Sequence, residues 1–253
     1  MISFVRTILT ILVTAIETVV LTTVVLIAAL LRVPHRAGGL FDRIPRIWSG
    51  VILAMAGVRV RVHGLERLRT LEGVASDKEI KGPYIFAANH VSLFDIPTLV
   101  NALPQHYFVA KSELFKIPVF GTGIRAVGTI PIERDNRKAA FGAYTVAADR
   151  IRNGSSVVVF PEGTRGTSYP IRPFKKGPFV LAIQAGVPII PCLVHGTIEV
   201  LPKKTFRIRP GTVHLHLLDP VPTAGFTYDQ RDTLADVVHE RLSTAMNTLY
   251  LNR

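Results

Sequence analysis

Tyr84-Ile85-Phe86-Ala87-Ala88-Asn89-His90-Val91-Ser92-Leu93-Phe94-Asp95 is the stretch on which the reading of this chain turns. Its first five residues form a short apolar run, the length of a buried strand. Asn89, His90 and Ser92 follow at once. In α/β folds reactive groups gather at the carboxyl ends of strands, so chemistry is expected here. Ser92 is placed to cap a helix, which puts Asp95 in that helix's first turn. From there a carboxylate can reach back to His90, fix its tautomer and leave the other ring nitrogen free as a base. The same Ser92-x-x-Asp95 spacing is also a capping box, in which the acid serves only backbone N–H groups. Spacing alone weighs the two readings equally.

Outward from this stretch, Val58 to His63 alternates apolar and polar residues as a half-exposed strand does. Further strand-like runs are Tyr107–Ala110, Val127–Ile132, Ser156–Phe160, Pro188–Val194 and Val213–Leu218. Helical stretches alternate with them at Asn136–Ile151, Gly177–Ala185 and Asp229–Tyr250. This alternation predicts an α/β domain with a mixed, largely parallel sheet flanked by helices.

Ahead of that domain, Ile8 to Leu31 is apolar on every face, interrupted by threonines and one acid, Glu17. The run is long enough to cross a bilayer core, which takes about 20 residues. Glu17 is costly at mid-membrane unless protonated, paired or near the interface. A turn at Val33–Gly39 leads into a second apolar stretch, Ile47 to Gly57, too short to cross alone. Trp48 at its start suits a membrane interface. The expectation is a membrane-embedded helical hairpin over residues 1–57; whether it spans or enters one leaflet stays open. Arg32, Arg36, Arg43 and Arg46 face a lone Arg6 upstream, a bias that puts the following domain on the cytoplasmic side.

The 253 residues, 48% of them hydrophobic, suffice for one full-sized core and an appendage. A net charge of +12 favours an anionic partner. A mean hydropathy of +0.34 is too apolar for a typical soluble nucleic-acid binder, and the cations are not interleaved with aromatics, so no nucleic acid is expected. The single cysteine, Cys192, excludes an intrachain disulfide and reads as a small core residue. His214-x-His216 is the only ligand-spaced histidine pair. It has no third ligand nearby in sequence, so no metal is expected.

A second polar cluster ends another strand. Val157-Val158-Val159-Phe160 runs into Pro161-Glu162-Gly163-Thr164-Arg165. Arg165 offers a planar donor fork for phosphate oxygens, and Gly163 permits close backbone approach. Lys111 follows the strand ending Phe108-Val109-Ala110, and Arg134 follows Gly128-Thr129-Ile130-Pro131-Ile132-Glu133. If these strand ends share one sheet edge, Lys111, Arg134 and Arg165 form an anion site. Phe206-Arg207-Ile208-Arg209, after Lys203-Lys204, fits either an anionic lipid surface or a charged edge strand that resists aggregation.

Together these segments resemble the glycerolipid acyltransferases of the 1-acyl-glycerol-3-phosphate acyltransferase type. Residues 89–95 look like that family's His-x4-Asp block, 128–134 like its second block, 160–165 like its third, and 187–192 like its fourth, an apolar strand assigned to the acyl-chain side. The order matches across roughly Val58 to Val200. Pro131-Ile132-Glu133 departs from the aromatic and Asp that often precede the arginine, which bears on acceptor preference. The resemblance implies an N-terminal anchor over 1–57 and a catalytic domain over 58–253. It also implies transfer of a fatty acyl chain from acyl-CoA or acyl carrier protein to the sn-2 hydroxyl of 1-acyl-glycerol-3-phosphate (lysophosphatidic acid), making phosphatidic acid, with no cofactor. His90 would be the base and Asp95 its orienting acid. Lys111, Arg134 and Arg165 would hold the acceptor phosphate. Glu162, Gly163 and Thr164 belong to the binding loop, touching the acceptor or holding the loop's shape. The implied location is a membrane, the bacterial inner membrane, with the catalytic domain on its cytoplasmic face. Competing readings are another acceptor (glycerol-3-phosphate, another lysophospholipid, a lyso-aminolipid) and a non-catalytic protein that binds anionic lipid.

Overall fold

The computed structural model describes residues 2–36, 38–70, 83–133 and 137–252. Two helices come first, α1 (Ile2–Leu30) and α2 (Leu40–Ala56). The α/β part follows as β1 (Val58–His63), α3 (Glu66–Thr70), β2 (Ile85–Ala88), α4 (Asp95–Ala102), β3 (His106–Lys111), α5 (Phe120–Ala126) and β4 (Ile130–Ile132). It continues through α6 (Arg137–Arg152), β5 (Ser156–Val159), α7 (Gly177–Ala185), β6 (Ile189–His195), α8 (Thr197–Val200), β7 (Gly211–Leu217) and α9 (Arg231–Met246).

The strands form one sheet in the order β1-β7-β6-β2-β5-β3-β4. Every neighbouring pair is parallel except β6 with β7. Central strands of such a sheet are covered on both faces, which explains why β2 and β5 are buried at every residue. Alternate side chains feed two cores. Ile85, Ala87, Val157 and Val159 pack on one face with Phe179 and Leu181 of α7 and Leu234 and Val238 of α9. Phe86, Ala88 and Val158 pack on the other with Ile52 and Leu53 of α2 and Leu99 of α4. The parallel order puts the carboxyl ends of β2, β3, β4 and β5 on one edge.

The two N-terminal helices run antiparallel. Arg6 lies against Gly57, the Trp48 indole donates to Thr18 at 3.0 Å, and Val25 and Ala28 pack with Phe41 and Ile44. The buried residues of α2 reach the sheet core, so this helix belongs to the α/β layer as much as to α1. By contrast, α1 leaves Phe4, Ile16, Val20 and Leu30 more than half exposed. It is long and apolar enough to cross a membrane. The two carboxyl oxygens of Glu17 are enclosed without a hydrogen-bond partner among the described residues. Sequence patterning did not mark α5, whose two glycines weaken the helical signal. One of them, Gly123, lets α1 approach, since a Cβ there would stand 2.5 Å from Thr22 Oγ1. Truncating Phe86 to Ala, at 0% exposure, is expected to cost about 3–5 kcal/mol, read as a lower midpoint in chemical denaturation.

Candidate active site

The turn after β2 is built around one carboxylate. Asp95 Oδ2 accepts the backbone N–H groups of Val91 at 2.8 Å and Ser92 at 2.9 Å, and lies 2.7 Å from His90 Nδ1. Its Oδ1 accepts the hydroxyl of Thr197 at 2.5 Å. Backbone amides can only donate, so Oδ2 acts as an acceptor, which places the proton on Nδ1 of His90. Nε2 then carries the free lone pair. A single oxygen thus serves two backbone N–H groups of the turn and orients the imidazole. The capping box does not form, because α4 begins at Asp95 with Phe94 as its N-cap and no side-chain cap. Asp95 is wholly buried and His90 nearly so.

Three further contacts tie this turn to the rest of the fold. Asn89 brackets β6, donating to Val194 O at 3.0 Å and accepting from Val194 N at 2.7 Å. Phe160, where the strand of β5 ends, stacks on the His90 ring with centroids 4.0 Å apart. Ser92 Oγ donates to Leu201 O at 2.8 Å, tying the turn to the segment beyond α8.

Glu162 is turned toward the protein. Its Oε1 accepts the N–H of His90 at 2.8 Å, and its Oε2 pairs with Arg172 Nε at 2.8 Å. Arg172 also donates to the hydroxyl of Thr164 at 3.2 Å and to its carbonyl oxygen. Of the two roles open to Glu162, this geometry supplies that of holding the loop's shape. Gly163 makes the turn with φ +78°, a conformation costly for side-chain-bearing residues.

A cavity of about 450 Å³ opens beside His90, within the usual range of ligand sites, about 300–1,000 Å³. Its polar end is lined by His90, Lys111, Thr164, Arg165 and Lys203. The remainder is largely apolar and runs between the N-terminal helices and the sheet, past Leu21, Val25, Phe41, Ile44, Phe108 and Ile124, with Arg36, Asp42, Arg46, Gln105 and His106 also on its wall. Lys111 pairs with Glu113 at 2.7 Å in a solvated position, a contact of little net strength that an anion can replace. Lys203 donates to the carbonyl of Arg165 at 2.7 Å. The expected cations Lys111 and Arg165 are thus brought together. Arg134 lies outside the described residues, although β4, which precedes it, ends on the same edge.

The block Val187–Cys192, assigned by resemblance to the acyl-chain side, does not line this cavity, and its strand part from Ile189 on is buried on both faces of the sheet. Burial also pushes the Cys192 thiol well above its ordinary pKa, as befits a core residue. Sequence reading missed Arg172, Thr197 and Lys203. Only Arg172 carried a local cue, as a cation shortly after the third motif. The histidine pair His214 and His216 does gain a third imidazole in space: His63 arrives from β1.

The acyltransferase family model matches residues 59–195, more than half of the chain. The chain belongs to the acyltransferase family. It is 32% identical over 182 residues to the 1-acyl-sn-glycerol-3-phosphate acyltransferase of Haemophilus influenzae, covering 71% of this chain and 75% of that one. A chloroplastic relative from Brassica napus, the BAT2 acyltransferase of the same name, is 29% identical over 82% of this chain. The chain spans 59% of that relative's length, and 64% of the Ovis aries alpha form, to which it is 32% identical over 76% of its own length. Among solved structures, the 1-acyl-sn-glycerophosphate (LPA) acyltransferase PlsC from Thermotoga maritima superposes with a TM-score of 0.78. The two are 26% identical, and the match covers 98% of this chain and 95% of that one.

Replacing Glu162 with Ala in this acyltransferase unpairs the His90 amide and Arg172. The expected loss is about 1–3 kcal/mol of stability by denaturant titration. Unchanged stability with a raised KM would instead make Glu162 an acceptor contact.

Proposed function

We propose that the chain transfers a fatty acyl group from a thioester carrier, acyl-CoA or acyl carrier protein, to the sn-2 hydroxyl of lysophosphatidic acid, yielding phosphatidic acid. The observation that carries this reading is the position of His90, where a cluster of cations meets an apolar cavity. A substrate that fits must bring a phosphate and a hydrocarbon chain to the same imidazole. The printed names of the relatives support the same acceptor.

His90 Nε2 takes the proton of the acceptor hydroxyl as its oxygen attacks the thioester carbon. The resulting imidazolium is stabilised by Asp95, on which four donors converge. Collapse of the tetrahedral intermediate expels the thiolate, which leaves with the proton from His90. The products are an ester and a free thiol, and no cofactor enters the balance. Arg165, Lys203 and Lys111, joined by Arg134, position the phosphate. The apolar cavity takes hydrocarbon, which buries favourably there.

Membrane attachment by α1 fits embedding in one leaflet better than crossing, because both ends of this helix touch the α/β domain. Ser3 and Thr7 bond the Ile208 backbone at 3.0 and 2.9 Å, and Thr22 meets Gly123. An α/β domain cannot follow a helix through the bilayer. Phe206, 85% exposed between Lys204, Arg207 and Arg209, stands beside the amino end of α1. This surface would meet anionic lipid on the cytoplasmic face, in a bacterium that of the inner membrane.

His90→Ala is expected to lower acyl transfer at least about 10²-fold while leaving the fold intact, measured with purified protein, lysophosphatidic acid and each donor in turn. Turnover like that of the wild type would end the proposal. Replacing Lys204, Arg207 and Arg209 with Ala should weaken binding to anionic vesicles and leave binding to neutral vesicles unaffected, as read by co-sedimentation.

A further inference from the structure

On the far side of the sheet from α2 and α4, three imidazoles meet where no sequence motif put them together. His63 ends β1, and its register partner on β7 is His216. His214, two residues earlier on β7, points to the same face, because Val213 and Leu215 fill the opposite core. A ring nitrogen from each of the three lies within 4.8 Å of the others. His63 Nε2 and His214 Nδ1 are 3.1 Å apart, and the rings of His63 and His216 stack with centroids 4.4 Å apart.

We propose that His63, His214 and His216 form a transition-metal site, with zinc-type chemistry and water as the fourth ligand. Around a tetrahedral Zn²⁺ with bonds of about 2.0–2.1 Å, ligand nitrogens stand about 3.3–3.4 Å apart. The observed separations need side-chain shifts of about an ångström, and the three near-parallel rings must turn about their side-chain torsions so that their lone pairs converge. An all-imidazole donor set suits Zn²⁺, Ni²⁺, Co²⁺ or Cu²⁺ and not Mg²⁺ or Ca²⁺, which take oxygen ligands. An outer partner is in place: the Tyr250 hydroxyl is 2.6 Å from His216 Nε2, and a ligating histidine is ordinarily oriented by such a contact. One feature opposes binding. Arg61, register partner of His214, stands on the same face and repels a dication. The affinity expected is therefore micromolar and not that of a fully enclosed structural zinc site.

Bound metal would clip β1 to β7 across a sequence separation of 151 residues and stabilise the folded chain by mass action. This site is separate from the His90 pair, so acyl transfer can fail or succeed without deciding it.

The test uses the full chain in detergent, free of any affinity tag and stripped with chelator, at pH 7.5. Co²⁺ is titrated while visible absorption is followed, and Zn²⁺ is titrated by calorimetry with unfolding temperature as a second readout. The proposal predicts one saturable micromolar site, tetrahedral cobalt bands and a raised unfolding temperature. His214→Gln and His63→Gln should each weaken binding at least about tenfold, with the metal-free unfolding temperature unchanged. Should His214→Gln fail to fold, His63→Gln, exposed at a strand end, decides alone. No saturable binding, or binding in the variants equal to wild type, would overturn it and leave a stacked ring surface.

Discussion

The Asp95 carboxylate is the point through which the catalytic turn, α4 and the β6–α8 segment are joined. Four donors converge on it, one of them from Thr197, 102 residues away in sequence. A buried carboxylate is tolerable only when it is so satisfied, and an unpaired one would cost several kcal/mol. The same acceptor geometry places the His90 proton on Nδ1. Structural need and catalytic need therefore coincide in one side chain. Any change that loosens the Asp95 shell also tilts the imidazole.

The second constraint is the parallel sheet. Because β2, β5 and β3 run the same way, residues after each strand reach a common edge, and His90, Arg165 and Lys111 are drawn from segments far apart in the chain. Glu162 then locks two of these segments together by accepting from the His90 amide while paired with Arg172. The N-terminal helices complete the arrangement from the other side. They line the apolar cavity beside His90, and α1 leaves large apolar side chains exposed on its outer face. With the proposed lysolipid acceptor, this arrangement would spare both acceptor and product from entering water.

Much of this was legible in the sequence. The apolar runs at 84–88, 156–160 and 188–194 read as strands, within a residue of each observed end, because parallel central strands are apolar on both faces, and Gly177–Ala185 read as a helix to the residue. His90, Asp95 and Arg165 were legible because local spacing and position at strand ends carry information. Thr197, Arg172 and Lys203 were not, since their roles depend on loops closed by tertiary packing. His63 escaped for the same reason: a sequence window around His214 and His216 cannot show a ligand contributed by β1. The short α5 was hidden by its two glycines, Gly123 letting α1 approach and Gly121 packing on the Phe115 backbone, a packing requirement that overrides helix propensity.

The central claim is that Asp95 acts in catalysis through the orientation and charge of His90, beyond capping its turn. Steady-state kinetics of Asp95→Asn, with a thermal unfolding scan to establish folding, test it most directly. The amide keeps the volume but removes the charge and favours the wrong tautomer. The account predicts that kcat falls about 10²-fold or more while KM for the lysolipid changes little. A folded variant with kcat near that of the wild type would contradict it.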